Sequence, residues 1–158
     1  MRILGIDPGY ERLGLAVTDG QRGREKLLHS ECFKTSAKLS FAERLSAIGN
    51  QVKKIIRKYQ PKVLAIENLF IQKNQKTAMR VAEVRGAIIF IGKEAGLEIA
   101  EYTPLQVKNA VVGYGRGDKR QIEIMVRRLI KIPAKKTTDD EYDAIAVALT
   151  ASASLPPH

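Results

Sequence analysis

The chain has 158 residues, 44% of them hydrophobic, which is enough for one domain whose core needs no disulfide or structural metal. One cysteine, Cys32, and two histidines, His29 and His158, exclude a disulfide framework and a Cys/His zinc cluster. Lys and Arg total 27 against 17 Asp and Glu, a net charge of +10 that suits a polyanion such as nucleic acid.

Carboxylates are the only metal ligands this composition offers, and they suit Mg²⁺ or Mn²⁺. No signal-like start and no apolar run of membrane-spanning length is present, so a cytoplasmic protein without a membrane partner is expected. The basic residues are clustered, as at Lys53-Lys54-Arg57-Lys58, Lys73-Lys76-Arg80 and Arg116-Lys119-Arg120, a pattern that favours phosphate contacts over a generally solvated surface.

In chain order, 2–7, 13–18 and 27–33 read as three strands, with Asp19-Gly20 and Arg22-Gly23 in the second turn. From 41 to 59, apolar residues at 41, 45, 48, 52, 55 and 59 have helical spacing, and Gln60-Pro61 ends the helix. Residues 62–67 form a short apolar strand that stops on Glu67, as the first strand stops on Asp7. A long helix follows the polar stretch 72–76 and runs to Glu94 before Gly96. Ala78, Ala82 and Gly86 recur every fourth residue along it. Its 86–91 segment is apolar nearly all round, which predicts burial on more than one side, in the core or at a dimer seam. A fifth strand covers 98–102, and Thr103-Pro104 opens a short helix to about 111. A Gly-rich basic loop, 113–117, leads to Asp118, which caps a helix to 130 with Ile122, Met125, Val126 and Leu129 inward. Thr138-Asp139-Asp140-Glu141 reads as a capping box that starts the last helix, with 152–158 as tail. This order predicts a single α/β domain over 1–158 built on five strands: a meander of three, then strands joined through helices.

Ligands collect at the carboxyl ends of parallel strands in such sheets. If the first and fourth strands are parallel neighbours, Asp7 and Glu67 meet at one edge, and the last helix adds Asp140 and Asp143 on one face of its first turn. Each acid has a plainer reading, Asp7 as a turn starter before Pro8-Gly9 and Asp140 as a helix N-terminal charge. Together on a basic chain they read as a site for divalent cations, since converging carboxylates repel unless a cation sits among them.

The segments GIDPG at 5–9, AIENLF at 65–70, KN at 73–74, QVK at 106–108 and DEYDAIAVAL at 140–149 resemble the RuvC family of Holliday-junction resolvases, in the family's order, over residues 2 to about 150. The resemblance implies an RNase H-like fold, a five-stranded mixed sheet flanked by helices. It also implies a homodimer on four-way junction DNA that makes two symmetric nicks, leaving 5′-phosphate and 3′-hydroxyl ends, with RuvAB as branch-migration partner. Two Mg²⁺ per site, replaceable by Mn²⁺, would be held by Asp7, Glu67, Asp140 and Asp143, with Asp7 bridging. Some members carry His where Asp140 stands, and Asp139 is adjacent, so the third ligand is one of two neighbours. Lys108 and Lys119 match the family's basic pair, and Phe70 the aromatic that stacks at the junction centre. Lys73, Lys76, Arg80 and Arg116 would contact phosphates. The long helix would carry the dimer seam.

Three other readings compete. The opening D-P-G-x-x-x-x-G also resembles the phosphate loop of sugar kinases and actin-like ATPases, which need a second domain to close over nucleotide. RLGLAVTD is similar to the opening of the YqgF family of RNase H-like proteins in ribosomal-RNA maturation, a family that lacks the AIENLF and QVK pair. A junction-binding protein that does not cut is the third, and four carboxylates argue against it.

Overall fold

A computed structural model describes residues 1–69, 75–113 and 118–156. Five strands, β1 (Arg2–Asp7), β2 (Arg12–Asp19), β3 (Lys26–Lys34), β4 (Val63–Glu67) and β5 (Glu98–Tyr102), form one sheet in the order β3-β2-β1-β4-β5. β1, β2 and β3 are an antiparallel meander, and β4 and β5 add on parallel to β1, as the strand-helix alternation requires. The helices are α1 (Phe41–Tyr59), α2 (Gln75–Glu94), α3 (Pro104–Val112), α4 (Lys119–Leu129) and α5 (Asp139–Ser154). Among the described residues no helix is long and apolar enough to cross a membrane.

Both faces of the sheet are covered, so its central strands are apolar on both sides. Leu4 and Ile6 of β1, with Leu64 and Ile66 of β4, pack on Ile48, Val52 and Ile55 of α1 and Val84 and Ile88 of α2. On the other face, Ile3, Val63 and Ala65 meet α5, with α3 and α4 beyond it. Helix α5 lies against β1 and β2 through small residues. A Cβ on Gly5 would come 2.3 Å from the Ala144 carbonyl oxygen and 2.8 Å from the Ala148 Cβ, so the helix axis sits where only glycine leaves room. The residues from Ala144 to Ala151 are all buried, which makes α5 the spine of this face.

Two expectations are corrected, and a third is narrowed to the dimer-seam alternative. Helix α5 continues through Ser154, and Ser152 is buried with its Oγ donating to Glu25 at 2.6 Å, so the tail starts later than 152. Leu129 is exposed, because α4 ends there and Ile130 turns into the core in its place. Within one chain the 86–91 segment is covered on one side only. Val84 and Ile88 face the sheet, while Ala82, Gly86 and Phe90 are open, Phe90 being 65% exposed.

Candidate active site

β1 and β4 run parallel in the register Ile3↔Val63 to Ile6↔Ile66, so Asp7 and Glu67 leave the sheet side by side at its carboxyl edge. The Glu67 end is fixed from below by Arg85 of α2. Its Nε donates to the Glu67 carbonyl at 3.1 Å, and its Nη2 contacts Asn68 Oδ1 at 2.5 Å and pairs with Glu101. Asp7 stays in the ladder opposite Gly14 of β2.

The last helix brings the other acids. Thr138 caps it, its Oγ1 accepting from the Glu141 N–H, while the Glu141 carboxylate accepts from the Thr138 N–H at 2.9 Å. Asp140 is in the first turn and Asp143 one turn further on, a small correction to the expectation that both share the first. The first turn reaches the strand ends because residue 14 has no side chain: a Cβ there would lie 2.1 Å from the Asp140 carbonyl oxygen and 3.0 Å from the Asp7 Cβ. Gly14→Ala is therefore expected to lift the start of α5 off β2, costing about 3 kcal/mol in chemical denaturation.

The acids sense one another. Burial pushes the Asp7 carboxyl up to about 8, with Asp143, Glu67 and Asp140 adding repulsion and Lys119 opposing it. Burial, then Asp143, pushes Glu67 up to about 7 against the pull of Lys108. Asp143 is also raised, by burial first, while Lys119 and Lys108 pull it down and Asp140 and Asp139 push it up. Glu141 gives the contrast within the same helix. Burial would raise it too, but Lys135 Nζ at 2.7 Å, Ser30 Oγ at 2.9 Å and Thr138 hold it below the ordinary range. Among the described residues no such hydrogen-bond donor reaches the carboxylates of Asp7, Glu67 or Asp143. A carboxylate partly withdrawn from water and denied donors is poised for a cation.

Glu67 and Asp143 line a cleft of about 310 Å³ with Pro104, Val107, Lys108, Asp118, Lys119 and Ile122. Lys108 and Lys119, which nothing but the family resemblance picked out, thus flank the acids from α3 and the start of α4. Of the two neighbouring aspartates, Asp140 acts on Asp7, whereas Asp139 is 68% exposed with Lys119 Nζ at 4.0 Å. Asp140 Oδ2 is held at 2.5 Å by Arg12 Nη2 and accepts from Cys32 Sγ at 3.5 Å. Among the described residues no group of three His, Cys, Asp or Glu stands close enough to form a ready metal cage. The donor set still fits a hard divalent cation, being all carboxylate oxygen on strand ends and a rigid helix.

Lys76 and Arg80 lie away from this cleft, on a groove shared with Tyr10, Leu39, Phe41, Arg44 and Thr77. The Arg80 guanidinium lies over the Phe41 ring at 4.1 Å and Arg44 over Tyr10 at 5.8 Å. Phe70, Lys73 and Arg116 lie outside the described residues. Sequence reasoning missed Arg12, Gly14 and Arg85, whose contacts join segments far apart in the chain, and it marked Glu141 only as part of a capping box.

The sequence model of the family described as crossover junction endodeoxyribonuclease RuvC matches residues 3–151. A relative of that name from Roseiflexus sp. (strain RS-1) is 43% identical over 155 residues, 98% of this chain and 92% of the relative. Another, from Finegoldia magna, is 45% identical over 149 residues, 94% of this chain and 91% of the relative. The structure of T. thermophilus RuvC in complex with Holliday junction substrate matches with a TM-score of 0.90 and 33% identity, over 96% of this chain and 93% of that one. The yeast mitochondrial Holliday junction resolvase Ydc2, at 12% identity and a TM-score of 0.70, over 96% of this chain and 77% of that one, shares the fold alone. The sheet order, the helix layers and these matches agree on an RNase H-like fold, and the chain belongs to the RuvC family, the crossover junction endodeoxyribonucleases.

Proposed function

We propose that this chain resolves four-way DNA junctions by metal-dependent phosphodiester hydrolysis in recombination and repair, with Asp7, Glu67, Asp140 and Asp143 holding two Mg²⁺, or Mn²⁺ in their place. The observation that carries the reading is the set of half-buried, mutually repelling carboxylates of Asp7, Glu67 and Asp143, which no donor among the described residues satisfies. Bound cations there supply Lewis acidity toward the attacking water and the leaving 3′-oxygen.

The protein's own part is positioning and charge. Asp7 and Glu67 stand on neighbouring strand ends, so the site between them does not reorganise as charge develops. Lys108 and Lys119 hold the phosphate beside the acids and offset its charge in the transition state. Lys76 and Arg80 grip the duplex arms through phosphates, joined by Lys73 and Arg116, while Phe70 stacks on a base at the junction centre. The nicks leave 5′-phosphate and 3′-hydroxyl ends.

Two symmetric nicks need two sites. The open Ala82, Gly86 and Phe90 row of α2, with Met79 exposed near its start, supports a homodimer packed through that helix, each protomer a single domain. A cytoplasmic location and work beside RuvAB complete the reading, on the strength of the family. The test is incubation of the purified protein with a mobile four-way junction, a linear duplex and a structured RNA, with Mg²⁺ and with EDTA. Paired symmetric nicks in the junction alone, lost in EDTA, are expected. Cutting of the RNA, or tight junction binding without cleavage, would replace this reading by one of its rivals.

A further inference from the structure

Among the described residues, Asp140 is the one member of the acidic group with a strong partner already in place. Arg12 Nη2 sits 2.5 Å from its Oδ2, and Cys32 Sγ donates to the same oxygen at 3.5 Å. Charge-assisted pairs at this distance are the stronger class of hydrogen bond. Both partners come from β2 and β3 and not from β1 and β4, the strands that carry Asp7 and Glu67. Arg12 starts β2, paired with Lys34, and Cys32 lies two residues away on β3, paired with Gly14. The adjoining Thr35 N–H donates to the Glu11 carbonyl at 3.1 Å, which ties the base of Arg12 to β3. The guanidinium is half exposed while the Asp140 side chain is 22% exposed, so the arginine reaches in from the surface and can turn back to it.

Lys108 and Lys119 flank the acids from the α3 and α4 side, and Arg12 stands on the β2 side. A guanidinium there does two things to a cation site. It occupies an oxygen of one ligand, and it adds a positive charge next to the place where a divalent ion would sit. It is also a fork suited to a phosphate diester, for which an Arg–carboxylate pair is readily exchanged.

We propose that Arg12 is a latch on Asp140: it holds this carboxylate in the DNA-free protein and weakens metal binding, and it transfers to a backbone phosphate when DNA arrives. This rests on the reading of Asp140 as a metal ligand. Metal loading then becomes coupled to substrate binding, because the DNA removes the cation that competes for Asp140. Arg12 is a positioning residue and touches no reacting atom.

The experiment is Mn²⁺ titration of the DNA-free protein, followed by the paramagnetic signal of free Mn²⁺, for the parent, Arg12→Gln, Asp140→Asn and the double variant. Arg12→Gln is expected to tighten Mn²⁺ binding by roughly fivefold, and to have no effect once residue 140 is Asn. Junction affinity in EDTA is expected to fall for Arg12→Gln, with a salt slope smaller by about one. Weaker or unchanged Mn²⁺ binding in Arg12→Gln, with binding still lost in Asp140→Asn, overturns the latch and leaves the ligand assignment standing. Unchanged Mn²⁺ binding in Asp140→Asn overturns the ligand assignment itself. Unchanged junction affinity and salt slope overturn the transfer to phosphate. A merely structural salt bridge would lower the melting temperature of Arg12→Gln without tightening the metal.

Discussion

Glu67→Gln is expected to bind a four-way junction in EDTA as the parent does and to cut it at least about a thousandfold more slowly in Mg²⁺, on the order of 4 kcal/mol in the barrier. Gln keeps the size and the strand-end position that Arg85 fixes through the Glu67 carbonyl, so the fold is undisturbed. It loses the negative charge, and its amide nitrogen presents hydrogens where a cation needs an oxygen. The same change has a second consequence of opposite sign. Removing one of the repelling acids relieves Asp7 and Asp143, so the metal-free variant is expected to melt at a higher temperature than the parent near neutral pH. Native cutting by Glu67→Gln would remove Glu67 from the site; a lower melting point in EDTA would mean that the charge is held by something other than the acids around it.

The largest effect on stability is expected from pH and metal together. Asp7 titrates in the folded protein at about 8 and Glu67 at about 7, against ordinary values of 3.8 and 4.5, and Asp143 is raised as well. A raised carboxyl means that the folded chain binds the proton more tightly than the unfolded one. Its contribution is present in full below about pH 4 and is lost as pH climbs toward 8, at about 1.4 kcal/mol per pH unit for each fully mismatched group. Other groups titrate across the same range, so the quantity to read is the difference between the parent and a variant with Asp7→Asn and Glu67→Gln. In EDTA, the parent is expected to lose several kcal/mol relative to that variant between about pH 5 and pH 8. Mg²⁺ or Mn²⁺ is expected to restore the parent alone, and more strongly as pH rises, because the cation binds the ionised carboxylates and only the folded state gathers them. Thermal melts with and without EDTA at several pH values check this. Parallel curves for the two proteins would show that these acids carry no shared strain.

Much of this site is readable along the chain because two local patterns point at it. Runs that are apolar for four or five residues and then stop on Asp7 or Glu67 signal buried strands with polar ends, and the intervening helix makes those strands parallel neighbours. The Thr138 to Glu141 box fixes where α5 begins, but it does not fix which side of the first turn faces the sheet. That choice depends on Gly14, which admits the Asp140 backbone and leaves Asp139 outward. Arg12, Cys32 and Arg85 were out of reach for the same reason: each contact spans strands or helices far apart in sequence, set by register and not by spacing. Leu129 was misplaced because two apolar residues in succession, Leu129 and Ile130, compete at a helix end, and the cap turns only the second inward. Lys108 and Lys119 stand among 27 basic residues with nothing local to mark them.

The close seating of α5 on Gly5 and Gly14 joins two properties that proteins often keep apart. Asp143 and Asp140 project from the same turns whose neighbours, Ala144 to Ala148, make up the centre of the core. Mutual repulsion among the acids therefore has no soft element to deform: fraying the helix start means lifting buried alanines off the central strands. The site is mounted beside the most buried helix segment of the molecule, which ties its geometry to the fold and leaves the side chains at its rim to adapt to an incoming junction.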